Sequence, residues 1–157
     1  MIKIISVGKI KEQYLKDGID EYLKRISKYT KIEIIELKDE EAKPNINETL
    51  INNLKIIEGN RILNNIKNEY VIALDRQGIE LSSIDFASKL ESIYTTISSN
   101  IAFIIGGSYG LSDEVLKRAN LKISFSKLTF PHQLFRLVLL EQIYRAYKIL
   151  NNEIYHK

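Results

Sequence analysis

The side chains able to do acid, base or electrophilic chemistry are few, and the most telling ones fall in the last third of the chain. His132 and His156 are the only histidines, and there is no cysteine. Thiolate nucleophiles, Cys-His pairs and disulfides are therefore excluded. Two histidines without a carboxylate at ligand spacing do not make a metal site, which needs three or four convergent donors. No Ser-His-Asp pattern can be drawn either. His132 follows Pro131 at the start of an apolar helical stretch, where the positive end of the helix dipole disfavours its protonation. Arg136 stands among Leu134, Phe135, Leu137, Val138, Leu139 and Leu140. A guanidinium in that company needs a partner, so it is either paired internally or aimed at an anionic ligand. The tail, Glu153-Ile154-Tyr155-His156-Lys157, sets a phenol beside an imidazole on a terminus of the kind that usually frays.

Backbone chemistry is written in the glycines. The apolar run Ile101–Ile105 stops at Gly106 and Gly107, and Gly110 follows three residues later. The dinucleotide fingerprint G-x-G-x-x-G is not met, because it would need a glycine where Ile105 stands. A Walker A loop would need Gly-Lys-Ser/Thr, which is absent. Glycines here still permit close backbone approach to a ligand and positive φ; the alternative is a tight strand-to-helix turn with no ligand. Phe125-Ser126-Lys127-Leu128-Thr129-Phe130 mixes rings and hydroxyls just before a helix. Such a loop can line an apolar pocket while its backbone hydrogen-bonds a heterocycle. It can equally be a hydrophobic staple in which Thr129 caps the helix.

The elements that must position these residues alternate. β-rich runs at Ile2–Val7, Ile32–Leu37, Tyr70–Leu74, Ile101–Ile105 and Leu121–Phe125 predict five strands. Helical periodicity and capping signals predict helices over Lys11–Tyr29, Glu48–Lys67, Ser82–Thr96, Ser112–Ala119 and Pro131–Leu150. The pattern predicts an α/β fold, one domain over residues 1–157, with a mainly parallel sheet of five to six strands and helices on both faces. In such sheets ligands collect beyond the carboxyl ends of the strands. The punctuation after the third, fourth and fifth strands is therefore where a site belongs. The closing helix is apolar almost all round in its first half. That predicts either burial on two sides, as in a homodimer, or a helix sunk within its own domain.

At 157 residues, 45% hydrophobic and 27% charged, the composition is that of an ordinary globular protein. No stretch approaches the roughly 20 apolar residues of a membrane span, and the first residues turn charged too early for a secretory signal. The expectation is a soluble, cytoplasmic protein with no membrane contact. The net charge of +3 hides an asymmetry: residues 1–31 carry 8 basic and 4 acidic groups, residues 32–116 carry 7 and 14, and residues 117–157 carry 8 and 2. Two basic ends permit a surface suited to a phosphate backbone, although charges also fall wherever solvent is.

Taken together, "IKIISVGKIKEQY", "VIALDRQGIELSS", "FIIGGSYGLSDEV" and "SFSKLTFPHQLFRLVLLEQIYRAYKILNNEIYHK" resemble the small SPOUT-class methyltransferases of bacteria. The likeness is to those that methylate N3 of a pseudouridine in 23S ribosomal RNA. It runs from end to end, weakest over residues 39–60, with Tyr109 departing from the polar residue usual there. It implies a homodimer, a C-terminal trefoil knot, and S-adenosyl-L-methionine held by Leu74, Gly106 and the loop Phe125, Ser126, Lys127, Leu128, Thr129 and Phe130. It further implies a substrate in the assembled 70S ribosome and no metal. Alignment of the methyl carbon supplies much of the catalysis in such a reaction, and a cation beside the base favours its deprotonated form. Arg136 is the first candidate for that role, with His132, Tyr155 and His156 beside it. A noncatalytic α/β nucleotide-binding or ribosome-associated module, or a flavodoxin-like carrier, would share the fold but leave the S-F-S-K-L-T-F-P-H block unexplained.

Overall fold

The computed structural model describes residues 1–157. In chain order the elements are β1 (Ile2–Val7), α1 (Gln13–Ile26), β2 (Ile32–Leu37), α2 (Glu48–Asn64) and β3 (Tyr70–Glu80). They continue as α3 (Ser83–Thr96), β4 (Ile101–Ile105), α4 (Asp113–Arg118), β5 (Leu121–Ser124) and α5 (His132–Leu150). The five strands form one wholly parallel sheet in the order β2-β1-β4-β3-β5. Every residue of β1 and β4 is buried, the continuous apolar pattern of a strand covered on both faces. Alternation then sorts the side chains. Ile2, Ile4, Phe103 and Ile105 face the layer of α1, α3 and α5, while Ile5, Val7, Ala102 and Ile104 face α2 and α4.

Three helices start where a short polar side chain can satisfy a free backbone N–H. Asn47 accepts from Leu50, Ser82 from Asp85 and Ser112 from Val115. The closing helix does not follow that rule. Pro131 occupies its cap position, with no side-chain bond. The Thr129 hydroxyl, a candidate cap, instead accepts from Arg76 Nη1 at 2.8 Å.

β3 is longer than its apolar run. It pairs with β5 through Leu74↔Ile123, leaves the register over residues 75–78, and returns as Ile79↔Ile123. Gly78 marks the crossing. A Cβ there would lie 2.6 Å from the backbone of Lys122 and Ile123, a separation no side chain tolerates. The R-Q-G sequence that looks like loop punctuation is thus a backbone-on-backbone contact inside a strand pair.

For Leu139 and Leu140 the second of the two alternatives for the closing helix holds. Leu139 and Leu140 are 0% exposed within the single chain and belong to the large core beside α1 and α3. They are not the surplus surface of a dimer. The half-buried Leu134 and Val138 carry what apolar surface α5 has to spare. Leu139→Glu would bury an unpaired carboxylate in a packed core, a cost of several kcal/mol. The expected outcome is insoluble or unfolded protein, and a soluble folded monomer by ultracentrifugation would contradict it. α1 and α5 pack against each other, but the cations there are largely committed, Arg25 to Glu21, Arg136 to Glu36, Arg145 to Glu141 and Lys148 to Glu153.

Candidate functional site

The carboxyl ends of β3, β4 and β5 open into one cavity of about 940 Å³, within the size range of small-molecule sites. Leu74 and Asp75 supply the β3 wall and Ile105, Gly106 and Gly107 the β4 wall, while the segment after β5 closes a third side. That last segment is held at both ends by rings. Phe125 meets Phe86 edge-on at 6.0 Å and tilts against Phe135 at 6.2 Å, and Phe130 meets Phe135 edge-on at 5.5 Å. Such pairs prefer tilted or perpendicular contact. Between the anchors the hydroxyls shape the backbone: Ser124 Oγ donates to the Ser126 carbonyl at 3.1 Å, and Ser126 Oγ accepts from the Leu128 N–H at 2.9 Å. The alternation of rings and hydroxyls in F-S-K-L-T-F fixes a loop with its backbone along the cavity.

The glycine turn is equally tight. The Gly110 N–H donates to the Gly107 carbonyl at 3.1 Å, and Gly110 takes φ +86. A Cβ on Gly106 would stand 2.9 Å from Leu111 Cδ2 and 3.0 Å from the carbonyl carbon of Gly110. The turn folds back on itself so closely that residue 106 has no room for a side chain.

Seven of the eight residues implied for the cofactor line this cavity, namely Leu74, Gly106, Phe125, Ser126, Leu128, Thr129 and Phe130. Lys127 does not. His132, at the N-terminus of α5, lines it as well. Burial, helped by the neighbouring Arg136 guanidinium and opposed by Asp39, lowers the imidazole's pKa, so the ring is neutral at neutral pH. One of its nitrogens is then an acceptor.

Arg136 is placed otherwise. It is 1% exposed, its Nη1 donates to Glu36 Oε2 at 2.5 Å, and its Nη2 donates to the Gly8 carbonyl at 3.0 Å. The guanidinium is internally paired and does not line the cavity of the single chain. Burial pushes the Glu36 carboxyl up, but the Ile10 N–H and Arg136 more than offset this and hold it below its ordinary 4.5. A carboxylate with a lowered folded pKa adds stability above its unfolded pKa and loses it as pH falls through the folded value. Glu36→Gln should therefore flatten the acid limb of the stability curve below about pH 4.5. Arg136→Met should lower stability at neutral pH, because the Gly8 carbonyl and Glu36 both lose their donor. Thermal denaturation across pH checks both, and an unchanged acid limb would contradict the pairing argument.

Tyr155 and His156 do not join the cavity of their own chain. Tyr155 packs edge-on against Tyr144 at 5.0 Å, beneath the Arg145 guanidinium, and its hydroxyl donates to Glu141 Oε1 at 3.1 Å. His156 Nδ1 stands 3.2 Å from Arg145 Nη1. The nearest of these contacts, Glu141, is nine residues beyond His132, about 13 Å along the helix axis. The sequence reading missed the polar rim of the cavity: Lys55, Asp75, Arg76, Gln77, Ser108 and Asp113. Position beyond the strand ends could have flagged Asp75 and Arg76. Nothing in the sequence links Lys55, from α2, to this place. No group of three or more His, Cys, Asp or Glu side chains stands ready to hold a metal, and no helix is long and apolar enough to cross a membrane.

Comparison with known proteins adds three kinds of likeness. The family model described as "Predicted SPOUT methyltransferase" matches residues 1–156. The chain is 57% identical over 157 residues to the ribosomal RNA large subunit methyltransferase H of Clostridium botulinum (strain Langeland), covering 99% of both. It has the same identity and coverage against that of Alkaliphilus oremlandii. Among solved structures it is similar in fold to the tRNA (m1G37) methyltransferase of Aquifex aeolicus. There the TM-score is 0.54 and the identity 14%, with 92% of this chain and 69% of the other covered. A Legionella pneumophila protein solved with bound SAM gives a TM-score of 0.52 at 12% identity, over 93% of this chain and 66% of that one.

Proposed function

Because the chain belongs to the SPOUT methyltransferase family, alongside the ribosomal RNA large subunit methyltransferases H, we propose that it methylates N3 of a pseudouridine in 23S ribosomal RNA from S-adenosylmethionine. The observation that carries this reading is the convergence of Leu74, the Gly106–Gly107 turn and the 125–130 loop on one cavity at the strand ends. The cavity fits the cofactor's chemistry. Its phenylalanine and leucine walls suit a purine and the methylene groups flanking a sulfonium, its loop backbone suits the heterocycle's edge, and the glycine turn lets the backbone itself form the wall, since a Cβ at Gly106 or Gly107 would force the turn to move. Asp75 and Asp113 on the rim suit hydroxyls and an ammonium group.

S-adenosylmethionine held by Leu74, Gly106 and the 125–130 loop would supply an electrophilic methyl group on a sulfonium sulfur. The chain's own task is to align N3 with that carbon and take up the imide proton. Neutral His132 is the one of the four catalytic candidates that lines the cavity, and it is the proton acceptor in this reading. Arg136 fixes the α5 N-terminus on Gly8 and Glu36, so its part is to place His132 four residues earlier. Tyr155 and His156 serve the cavity of a second subunit, since they lie well along α5 from their own. A homodimer is therefore part of the proposal. The assembled 70S ribosome is the substrate, and the protein is cytoplasmic. The return of β3 to Ile123 around residues 75–78 supports a knotted path through which α5 is threaded.

The test is twofold. Calorimetric titration with S-adenosylmethionine should give binding in the micromolar range or tighter, near −8 kcal/mol. Ribosomes from cells lacking the modification should then accept a tritiated methyl group on 23S RNA. Cofactor binding without transfer to any ribosomal particle would favour a noncatalytic module.

A further inference from the structure

Behind the glycine turn stands a buried carboxyl group that the reaction above does not use. Glu58, on α2, is 3% exposed, and its Oε2 has no hydrogen-bond partner. Its Oε1 accepts a single bond, from the Glu40 N–H at 3.1 Å. The carboxyl abuts Gly107: a Cβ there would lie 2.9 Å from Oε2, 3.3 Å from Oε1 and 3.2 Å from Val7 Cγ1. Gly107 does not adopt the left-handed backbone that by itself calls for glycine. What excludes a side chain at this position is the pressure of Glu58 and Val7. Gly107 lines the cavity and Glu58 does not, so the glycine is the wall between the carboxyl and the ligand.

We propose that Glu58 is a positioning residue for the methyl-donor turn: its carboxyl group fills the volume behind Gly107 and sets how far Gly106 and Gly107 stand into the cavity. This rests on the cofactor reading of the cavity. The surroundings tell which form of the carboxyl does the work. Burial raises its pKa, and Asp39 and Glu40 from the loop after β2 raise it further, against the Glu40 N–H and Arg61. Arg61 is itself committed to the Glu40 carboxylate and the Lys38 carbonyl. At the contact itself Gly107 and Val7 add no charge. The shift favours the neutral acid. Ionised Glu58 would be a desolvated anion with one donor, and the turn it presses on must yield to let water or a cation reach it. Cofactor affinity therefore falls as Glu58 ionises. Stability follows the same sign: the folded state holds a proton that the unfolded state releases, so stability declines as pH rises from the ordinary carboxyl pKa through the raised one.

Titration of S-adenosylmethionine into wild type and Glu58→Gln from about pH 5 to pH 9 tests this. The amide has the same shape and cannot ionise, and titration of the ligand's own ammonium is common to both proteins. Wild-type affinity should fall by about tenfold relative to Glu58→Gln across the range. A ratio independent of pH overturns the inference while leaving the cofactor site intact. No binding by either protein at any pH overturns the cofactor reading, and this inference with it. A second pair of variants tests the contact without titration. Gly107→Ala alone should weaken binding, and Glu58→Ala in the same chain should restore part of it by opening the space. Losses that simply add in the double variant would show that the two residues act independently and would overturn the proposal.

Discussion

Substitution of Gly106 by valine should abolish S-adenosylmethionine binding in titration calorimetry and leave the far-ultraviolet circular dichroism unchanged. The reason is steric and local. Gly106 has no positive φ, so a larger residue meets no intrinsic backbone penalty. It meets Leu111 Cδ2 at 2.9 Å, and the carbonyl carbon and oxygen of Gly110 at 3.0 and 3.1 Å. The first is a side chain that can turn aside, but the other two are backbone of the turn itself. A Cβ therefore pushes the two limbs of the turn apart, and the two further carbons of valine enlarge the displacement into the cavity. The sheet is spared, because β4 ends at Ile105 and its pairing with β1 and β3 does not involve the turn. Affinity should fall more than about a hundredfold, beyond 2.7 kcal/mol, with Gly106→Ala intermediate. A variant that binds as tightly as wild type would remove this turn from the cofactor site.

The glycine pair was legible as a place of close approach because an apolar run stopped there without a phosphate-loop signature. What it approaches was not legible, since Leu111 and Glu58 reach it through tertiary packing. The same division runs through the fold. β1 and β4 announce themselves as buried parallel strands by unbroken apolar residues, and Asn47, Ser82 and Ser112 announce their helices by capping chemistry. The second half of β3 was hidden because Asp75, Arg76 and Gln77 break the apolar pattern while the backbone keeps its course around β5. Arg136 shows the limit for side chains. Its neighbours demanded a partner, but Glu36 lies 100 residues away and is brought to it only by the parallel pairing of β1 with β2. Leu139 and Leu140 show the limit for surfaces, because an apolar helix reads alike whether its own core or a second subunit covers it.

Removal of residues 154–157 should leave a folded, cofactor-binding protein that transfers almost no methyl to ribosomes. The clamp that ends α5 lies just inside the cut: Glu153 accepts from Lys148 Nζ at 2.5 Å and from the Tyr29 hydroxyl at 2.8 Å. Those two bonds draw its carboxyl down to about 2, so the clamp stays charged at neutral pH and survives the deletion. Beyond it, Ile154 is 94% exposed and contributes nothing to the core. Tyr155 is the only substantial loss. Its edge-on contact with Tyr144 and the Arg145 guanidinium above it are worth about 1 kcal/mol, a drop of a few degrees in melting temperature at this chain length. The cavity, some 13 Å away along α5, keeps every residue that lines it. If the tail were only a frayed end held to Tyr144, transfer would follow the small loss of stability. If it serves the second subunit's cavity, transfer falls by orders of magnitude at unchanged cofactor affinity. Tyr155→Phe refines the outcome, since it keeps the ring on Tyr144 and removes the hydroxyl that donates to Glu141. Mixing subunits carries the argument to its end. A chain truncated after Glu153 and a chain bearing Gly106→Val are each inactive alone, yet a dimer of the two has one intact cavity and one intact tail on opposite subunits. Recovery of up to about half the wild-type transfer per mixed dimer is expected, on the symmetry of a two-fold pair, and no recovery would return Tyr155 and His156 to a structural role.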